Sequence, residues 1–298
     1  MKRITRDRVT CLLSEDAQPV EEIAPGEPVV FETQDAVGGR ITTREEALRV
    51  TISRDEGNPA TGPVTVVGAE PGDTLAIEIL DIQLGSYGYG RVKGGGVIYD
   101  ELDPPEANIT PVRDGMIQFN RSLRFAARPM VGVVGTAPAD EPVATFYPGP
   151  HGGNLDINAA GIGSTVYLPV AAPGALLAIG DVHARMGDGE LTGGGLDIEA
   201  EVTVKTSIER GLGWQRPVIE TPDAWCACAN APILEEAIRQ ATSDMTTLIA
   251  KALAMNREEA FILIGAAGDA RIGQAASLGM DCTAYLRMTK EILPTVFP

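Results

Sequence analysis

The stretch PVTVVGAEPGDTLAIEILDI, residues 63–82, decides the fold class. Two runs rich in β-branched residues flank the turn signal Pro71-Gly72-Asp73, which predicts adjoining strands in a hairpin or meander. Similar short runs recur between connections rich in glycine and proline, at 29–33, 48–53, 131–134, 165–170, 200–206 and 218–220. The pattern predicts a mainly β protein whose strands form sandwich-like or barrel-like sheets.

A different periodicity marks the C-terminal part of the chain. Between Asn230 and Arg257, apolar residues recur every three to four positions, which predicts an amphipathic helix. Asn256, followed three residues later by Glu259, resembles a capping box and predicts a second helix through Ile264. We therefore expect a mainly β (α+β) chain with a helical pair near its C-terminus. Because no linker or repeat interrupts the sequence, we expect residues 1–298 to form a single compact unit.

The composition limits the classes of function. The chain has 24 Lys and Arg against 41 Asp and Glu, which gives a formal net charge of −17. This balance argues against a nucleic-acid partner, since phosphate contacts need a cationic face. No apolar run reaches the roughly 20 residues of a membrane span. The N-terminus also lacks the apolar core of a secretory signal, so the sequence predicts a cytoplasmic protein with no membrane partner.

The chain contains only two histidines, His151 and His183. Both lie in segments rich in glycine and short acids, HGGNLD at 151–156 and GDVHARMGDGE at 180–190. A catalytic metal site built on three histidines is therefore excluded within one chain. Common sequence motifs of other hydrolases, GxSxG and HExxH, are also absent from the sequence.

The two segments supply candidate metal ligands. If residues 165–181 form a β-hairpin that turns at Pro173-Gly174, Asp181 and His183, which are two residues apart, project from one face at its end. His151, Asn154 and Asp156 lie on a loop that its glycines allow to approach a ligand closely. Nitrogen and oxygen donors of this kind suit zinc, or a harder divalent ion such as calcium.

Two acids of the GDGE turn are candidates for catalysis. Glu190 is close enough in sequence to reach a water on an ion held by Asp181 and His183, where it could act as a general base. Asp188 is the weaker candidate, because an aspartate in an Asp-Gly turn usually bonds to the backbone. The alternative is that both are ordinary solvated turn acids.

Together with GSTVYLPV at 163–170, PGAL at 173–176 and DARIGQA at 269–275, these segments resemble the acetamidase/formamidase family. Weaker similarity extends through 70–82 and through ETQDAVGG, so the resemblance covers most of the chain. It implies a mostly β fold and a metal-associated hydrolase of small non-peptide amides that yields a carboxylate and ammonia. It also implies a homodimer or a higher homo-oligomer.

The resemblance also implies roles for matching positions. Metal ligands are expected among Asp35, His151, Asp156, Asp181, His183 and Asp197. Their nitrogen and oxygen donors favour zinc as the ion, with calcium as the alternative. Substrate binding is expected at Asn154, Gly152 and Gly153, and catalysis at Glu190 and Asp188.

Two positions depart from the family pattern. Asp197 stands where the family often has glutamate, and Met186 stands where many relatives have glutamine, which removes an amide that could orient a polar substrate. Two alternatives stay open for this reason. One is a hydrolase of cyclic amides such as lactams, and the other is a ligand-binding member of the fold without turnover.

Overall fold

The computed structural model describes residues 1–92, 95–276 and 279–297. The strands are Lys2–Ile4 (β1), Val9–Thr10 (β2), Leu12–Leu13 (β3), Glu21–Ile23 (β4), Pro28–Thr33 (β5), Ala60–Val66 (β6), Thr74–Leu84 (β7), Tyr87–Val92 (β8), Glu106–Arg113 (β9), Met116–Gln118 (β10), Arg124–Ala126 (β11), Met130–Gly135 (β12), Val143–Ala144 (β13), Pro148–Gly149 (β14), Gly152–Asn154 (β15), Thr165–Pro169 (β16), Leu177–His183 (β17), Ala200–Glu209 (β18), Val218–Glu220 (β19), Ala224–Ala231 (β20), Asp269–Ile272 (β21) and Cys282–Thr289 (β22). The α-helices are Arg44–Arg49 (α1), Leu234–Ala252 (α2) and Arg257–Ala267 (α3), and Tyr99–Glu101 forms a short 3₁₀ helix.

Two large sheets dominate the described part of the chain. The nine-stranded sheet has the order β1-β5-β18-β7-β16-β19-β20-β22-β21. The seven-stranded sheet runs β14-β15-β12-β17-β6-β2, with β4 also beside β6. Strands β11-β10-β9-β8 form a smaller sheet, and β13 pairs with β3. The predicted fold class, mainly β with a helical pair near the C-terminus, is confirmed.

The two large sheets share one hydrophobic core. Phe31 and Ile77 of the nine-stranded sheet lie in the same buried cluster as Val134 and Ile179 of the seven-stranded sheet. Burying an apolar side chain of this size stabilises the fold by about 1.5–3 kcal/mol. The shared core therefore fixes one sheet against the other, as in a sandwich. That residues 1–298 form one compact unit stays a prediction.

Two chain reversals that the sequence predicts as hairpins instead connect the two sheets. Strands β6 and β7 flank the turn at 71–73, but β6 pairs with β17 while β7 pairs with β16 and β18. The same holds for β16 and β17, on either side of Pro173-Gly174. A turn signal shows where the chain reverses, but long-range pairing decides which strands become neighbours.

Capping residues decide where helices α1 and α3 begin, even where the sequence favours a strand. The sequence predicts a strand over 48–53, yet α1 covers the first two of these residues, because Thr43 and Glu46 form a capping box. The predicted capping box of Asn256 and Glu259 opens α3. Helix α2 begins at Leu234 rather than near residue 230, because 224–231 pair with β22.

Helix α2 packs on the nine-stranded sheet. Ala237, Ala241, Met245 and Ile249 recur at four-residue spacing and are buried. Three of these side chains join a second apolar cluster with Leu286 of β22. None of the helices in the described ranges has the length and apolar character needed to cross a membrane.

Candidate functional site

The central strands of the seven-stranded sheet bring polar side chains to a cleft of about 530 Å³. Asn154 lies in β15, while Asp181 and His183 lie in β17, and Asn58 precedes β6. Strands β15, β12, β17 and β6 are consecutive neighbours in the sheet. Because neighbouring strands lie about 4.8 Å apart, residues distant in sequence converge here.

One imidazole lies among four carboxyl groups, and we call these five side chains the His183 cluster. His183 Nε2 lies 3.7 Å from Asp181 Oδ1 and 3.8 Å from Glu190 Oε1. The same nitrogen lies 3.2 Å from Asp197 Oδ1, while Nδ1 lies 3.9 Å from Asp156 Oδ1. All five residues are buried and line the cleft. The structure thus brings together five of the residues predicted from sequence.

The backbone of the cleft is held in an unusual conformation. Asn58, Asp156, Asp181 and Glu190 all have positive φ, between 46° and 51°. They make up four of the eight non-glycine residues with positive φ in the described part of the chain. Such conformations cost about 1–3 kcal/mol each and cluster at functional sites. The strain therefore points to the cleft as the site of function.

Burial and mutual repulsion shift the pKa values of four groups of the cluster, namely Asp156, Asp181, His183 and Glu190. Burial raises the pKa of the Asp181 and Glu190 carboxyl groups well above the usual range. It also raises the pKa of Asp156 to about 6. At His183, burial lowers the pKa, but the carboxylates of Asp181 and Asp197 outweigh this effect, so the pKa rises. Four carboxyl groups exceed what one imidazolium can balance, which favours a bound cation.

The donor set fits a divalent metal ion. Asp156 Oδ1 and Asp181 Oδ1 are buried without a hydrogen-bond partner among the described residues. Unpaired buried oxygens of this kind are unfavourable unless an ion or water satisfies them. One ligand atom each from Asp156, Asp181 and His183 lies within 4.8 Å of the others. These three residues could therefore hold one ion.

Gly132 of β12 makes room for the carboxylates. A Cβ at this position would lie 2.4 Å from Asp156 Oδ1 and 3.1 Å from Asp181 Oδ2. Any larger residue would therefore push the two candidate ligands apart. The sequence offers no signal for this role, because Gly132 lies within an ordinary apolar strand.

Gly132→Ala is expected to weaken binding of Zn²⁺ by about tenfold or more, since displaced supports of metal ligands cost about 10- to 100-fold in affinity. Calorimetric titration with Zn²⁺ measures this change. Gly187→Ala is the matched control, because a Cβ there meets nothing within 4 Å. Equal affinities in both variants and the parent protein would contradict a role of Gly132 in spacing the ligands.

Two amides that sequence reasoning missed support the cluster. Asn58 Nδ2 donates to Asp181 Oδ2 at 2.8 Å and to Asn154 Oδ1 at 3.0 Å. Gln274 Nε2 donates to the backbone carbonyl of Asn154 at 2.8 Å. Gln274 lies in the DARIGQA segment, which offered a signal, whereas nothing in the sequence around Asn58 did. The side-chain oxygen of Asn154 is thus engaged with protein, although Asn154 was predicted to bind substrate.

The structure does not bring the second imidazole to this cleft. His151 lines a different cavity of about 650 Å³, which Trp214 also lines. Its ring packs against Gly149 and Gly153, where a Cβ would lie 2.6 Å and 3.1 Å from the ring nitrogens. Burial lowers the pKa of His151 to about 4. The structure thus places the two predicted histidine ligands, His151 and His183, in different cavities.

Two predicted acids also lie outside the lining of the cleft. Asp35 Oδ1 accepts hydrogen bonds from the backbone N–H groups of Val37 and Gly39, both at 3.0 Å. This bonding shapes a turn. Asp188 is exposed on a separate cleft, where its Oδ1 accepts a hydrogen bond from Asn158 Nδ2 at 2.8 Å.

The surroundings of the remaining positions, Gly152, Gly153 and Met186, indicate structural roles. Gly152 and Gly153 lie in β15 between β12 and β14, with φ of 91° and 73°. A Cβ on Gly152 would lie 2.1 Å from the Val134 carbonyl oxygen, so only glycine fits. Met186 is buried beside the separate cleft that Asp188 lines. None of the three lines the 530 Å³ cleft, so the departure at Met186 does not reshape its wall.

Comparisons with known proteins agree with this architecture. The model of the acetamidase/formamidase family matches residues 13–147 and 139–284. The crystal structure of an acetamidase from Bacillus halodurans is 37% identical and superposes with a TM-score of 0.94, over 99% of this chain and 100% of that chain.

Curated relatives match over a smaller share. A formamidase from Methylophilus methylotrophus is 28% identical over 273 residues, 69% of this chain and 66% of that protein. An acetamidase from Mycolicibacterium smegmatis is 26% identical over 241 residues, 59% of each chain. The chain thus spans 59% to 66% of the length of these two relatives. The match of the family model over most of the sequence shows that this chain belongs to the acetamidase/formamidase family.

Proposed function

We propose that this protein is a metal-dependent hydrolase that converts small non-peptide amides to a carboxylate and ammonia. The observation that carries the proposal is the His183 cluster, in which four buried carboxyl groups surround one imidazole at a cleft. Relatives named acetamidase and formamidase, which act on non-peptide carbon–nitrogen bonds, support the choice of substrate class.

Asp156, Asp181 and His183 would hold the ion. An imidazole nitrogen beside carboxylate oxygens suits zinc, whereas calcium takes oxygen ligands throughout. A divalent ion in this position would polarise an amide carbonyl and make water a stronger acid. His151, Asp35 and Asp188 are outside this set because they do not line the cleft.

Glu190 would move the proton. Its carboxyl group lies at the cleft, with Oε1 3.8 Å from His183 Nε2, and makes no hydrogen bond to another described residue. It can accept a proton from the attacking water and deliver it to the departing nitrogen. A positioned general base of this kind contributes about 100- to 10,000-fold to the rate.

Other residues position these groups and shape the cleft. The Asn58 amide bridges Asp181 and Asn154, which holds a candidate ligand in place. Ile52, Phe146 and Met280 contribute apolar surface to the same cleft. Apolar walls of this kind bury the acyl part of an amide and exclude water from its carbonyl.

The purified protein is expected to release ammonia from formamide or acetamide and to contain about one divalent ion per chain by elemental analysis. Removal of the ion by a chelator should lower turnover at least about tenfold, and added zinc should restore it. A lactam releases no ammonia, so ring opening is followed by NMR in parallel. Failure of the metal-loaded protein on linear and cyclic amides alike would contradict the proposal and favour a binding protein.

A further inference from the structure

A second cleft, of about 830 Å³, is lined by Gly187 and Asp188 of the turn whose Glu190 lines the first cleft. Four arginines line it, namely Arg128, Arg185, Arg271 and Arg287, and we call it the arginine cleft. Only two carboxylates, those of Asp188 and Asp223, line it with them. In a chain with a net charge of −17, this concentration of cationic groups needs an explanation.

Two of the arginines are paired with carboxylates of the protein. Arg287 Nη2 lies 2.5 Å from Asp223 Oδ2, and Arg287 Nη1 lies 3.7 Å from Asp269 Oδ2. Arg271 Nη1 lies 3.4 Å from Asp188 Oδ2. These pairs hold two guanidinium groups in place and balance their charge.

The other two arginines have no such balance. Within residues 1–92, 95–276 and 279–297, neither Arg128 nor Arg185 forms an ion pair with a carboxylate. Arg185 is instead held by neutral groups, since Nη1 donates to the Ala126 carbonyl at 2.8 Å and Cζ lies 5.3 Å from the centre of the Phe125 ring. The backbone N–H of Arg128 donates to the Ala184 carbonyl at 2.9 Å, next to Arg185 in the chain.

The walls of the arginine cleft strengthen the field of these two charges. Ser164, Met186, Cys226 and Tyr285 are buried residues that line it. Charges of one sign in a concave surface with poorly polarisable walls raise the local concentration of the opposite ion. The uncompensated guanidinium groups therefore attract anions more strongly than they would on an open surface.

We propose that the arginine cleft binds a small oxyanion, either a carboxylate or a phosphate. The guanidinium group presents paired N–H donors that match two oxygens of these anions. Arg128 and Arg185 supply the uncompensated charge, and Arg271 and Arg287 are further donors. This inference does not depend on amide hydrolysis, since no residue of the His183 cluster lines this cleft.

Isothermal titration of the purified protein with inorganic phosphate and with succinate, at constant ionic strength, tests the proposal. We expect saturable binding of at least one of the two anions at one site per chain. Arg185→Ala and Arg128→Ala should each weaken binding by about 10- to 100-fold, as expected for the loss of one charge-assisted hydrogen bond. The anion that binds more tightly, phosphate or succinate, shows whether the cleft prefers a phosphate or a carboxylate.

Arg239→Ala is the matched control, because Arg239 on α2 is 68% exposed and does not line the cleft. It removes the same charge and should leave the affinity unchanged.

If Arg185→Ala fails to fold, Arg128→Ala carries the same test from an exposed position. The proposal is overturned if neither anion saturates, if Arg239→Ala weakens binding equally, or if Arg128→Ala and Arg185→Ala bind like the parent. It is also overturned if Arg128→Glu changes the oligomeric state while no anion binds, which would assign the cleft to a second copy of the chain.

Discussion

Glu190→Gln is expected to lower kcat for amide hydrolysis by about 100- to 10,000-fold, the contribution of a positioned general base. Glutamine keeps the size of the side chain but cannot accept a proton from water at neutral pH. Glu190 is not among the three residues with closely grouped ligand atoms, so the bound metal should be retained. Ammonia release under saturating substrate, together with elemental analysis of the same sample, measures both quantities.

Asp188→Asn is the matched control for this experiment. Asp188 lies two residues earlier in the same turn, but it is exposed on the arginine cleft and pairs with Arg271. We expect this variant to retain most of its activity. A loss as large as that of Glu190→Gln would show that the integrity of the turn, rather than the Glu190 carboxylate, limits the reaction. A loss of metal in Glu190→Gln would place Glu190 among the ligands instead.

Local patterns in the sequence predict individual helices and strands, but they do not predict which strands pair. Alternation of apolar residues and capping boxes depends on neighbours within a few positions, which is why β18 and α3 could be predicted. The pairing of β6 with β17, rather than with β7, depends on contacts across more than 100 residues. No local pattern records such a pairing, so both predicted hairpins failed at the same step.

The same limit applies to the candidate site, because the sequence shows residues that are close along the chain but not residues that strand pairing brings together. Asp181 and His183 were predictable as a pair because they are two residues apart in one strand. The position of Asn58 beside them follows only from β6 being the neighbour of β17. His151 is only five residues from Asp156, yet they line different cavities. Proximity in sequence therefore could not show which of the two residues joins His183.

Asp156→Asn is expected to reduce metal affinity by more than about 100-fold, since loss of a partner behind a ligand already costs about 10- to 100-fold. The value of kcat/KM for amides should fall with metal occupancy. Asparagine nevertheless suits this position, because Asp156 has a φ of 46° and asparagine tolerates the left-handed conformation. Calorimetric titration with Zn²⁺ and the ammonia assay measure the two losses.

The same substitution should stabilise the metal-free protein. Burial raises the pKa of Asp156 from its ordinary value of 3.8 to about 6, so ionisation of this carboxyl group opposes folding increasingly as the pH rises through that range. Asparagine removes the charge, and we expect a gain of about 1–3 kcal/mol in the free energy of unfolding at pH 8 that shrinks toward pH 4.

Chemical denaturation of chelator-treated protein at both pH values measures this gain. Asp114→Asn is the matched control, since Asp114 has a φ of 50° and is exposed, so the change should stay within about 0.5 kcal/mol. The carboxylates of the metal-free His183 cluster repel one another. The same substitution should therefore raise the stability of the metal-free protein and lower its affinity for metal. If Asp156→Asn destabilises the metal-free protein at pH 8, repulsion among the buried carboxylates does not oppose folding. This result would contradict the argument that the carboxylates need a bound cation.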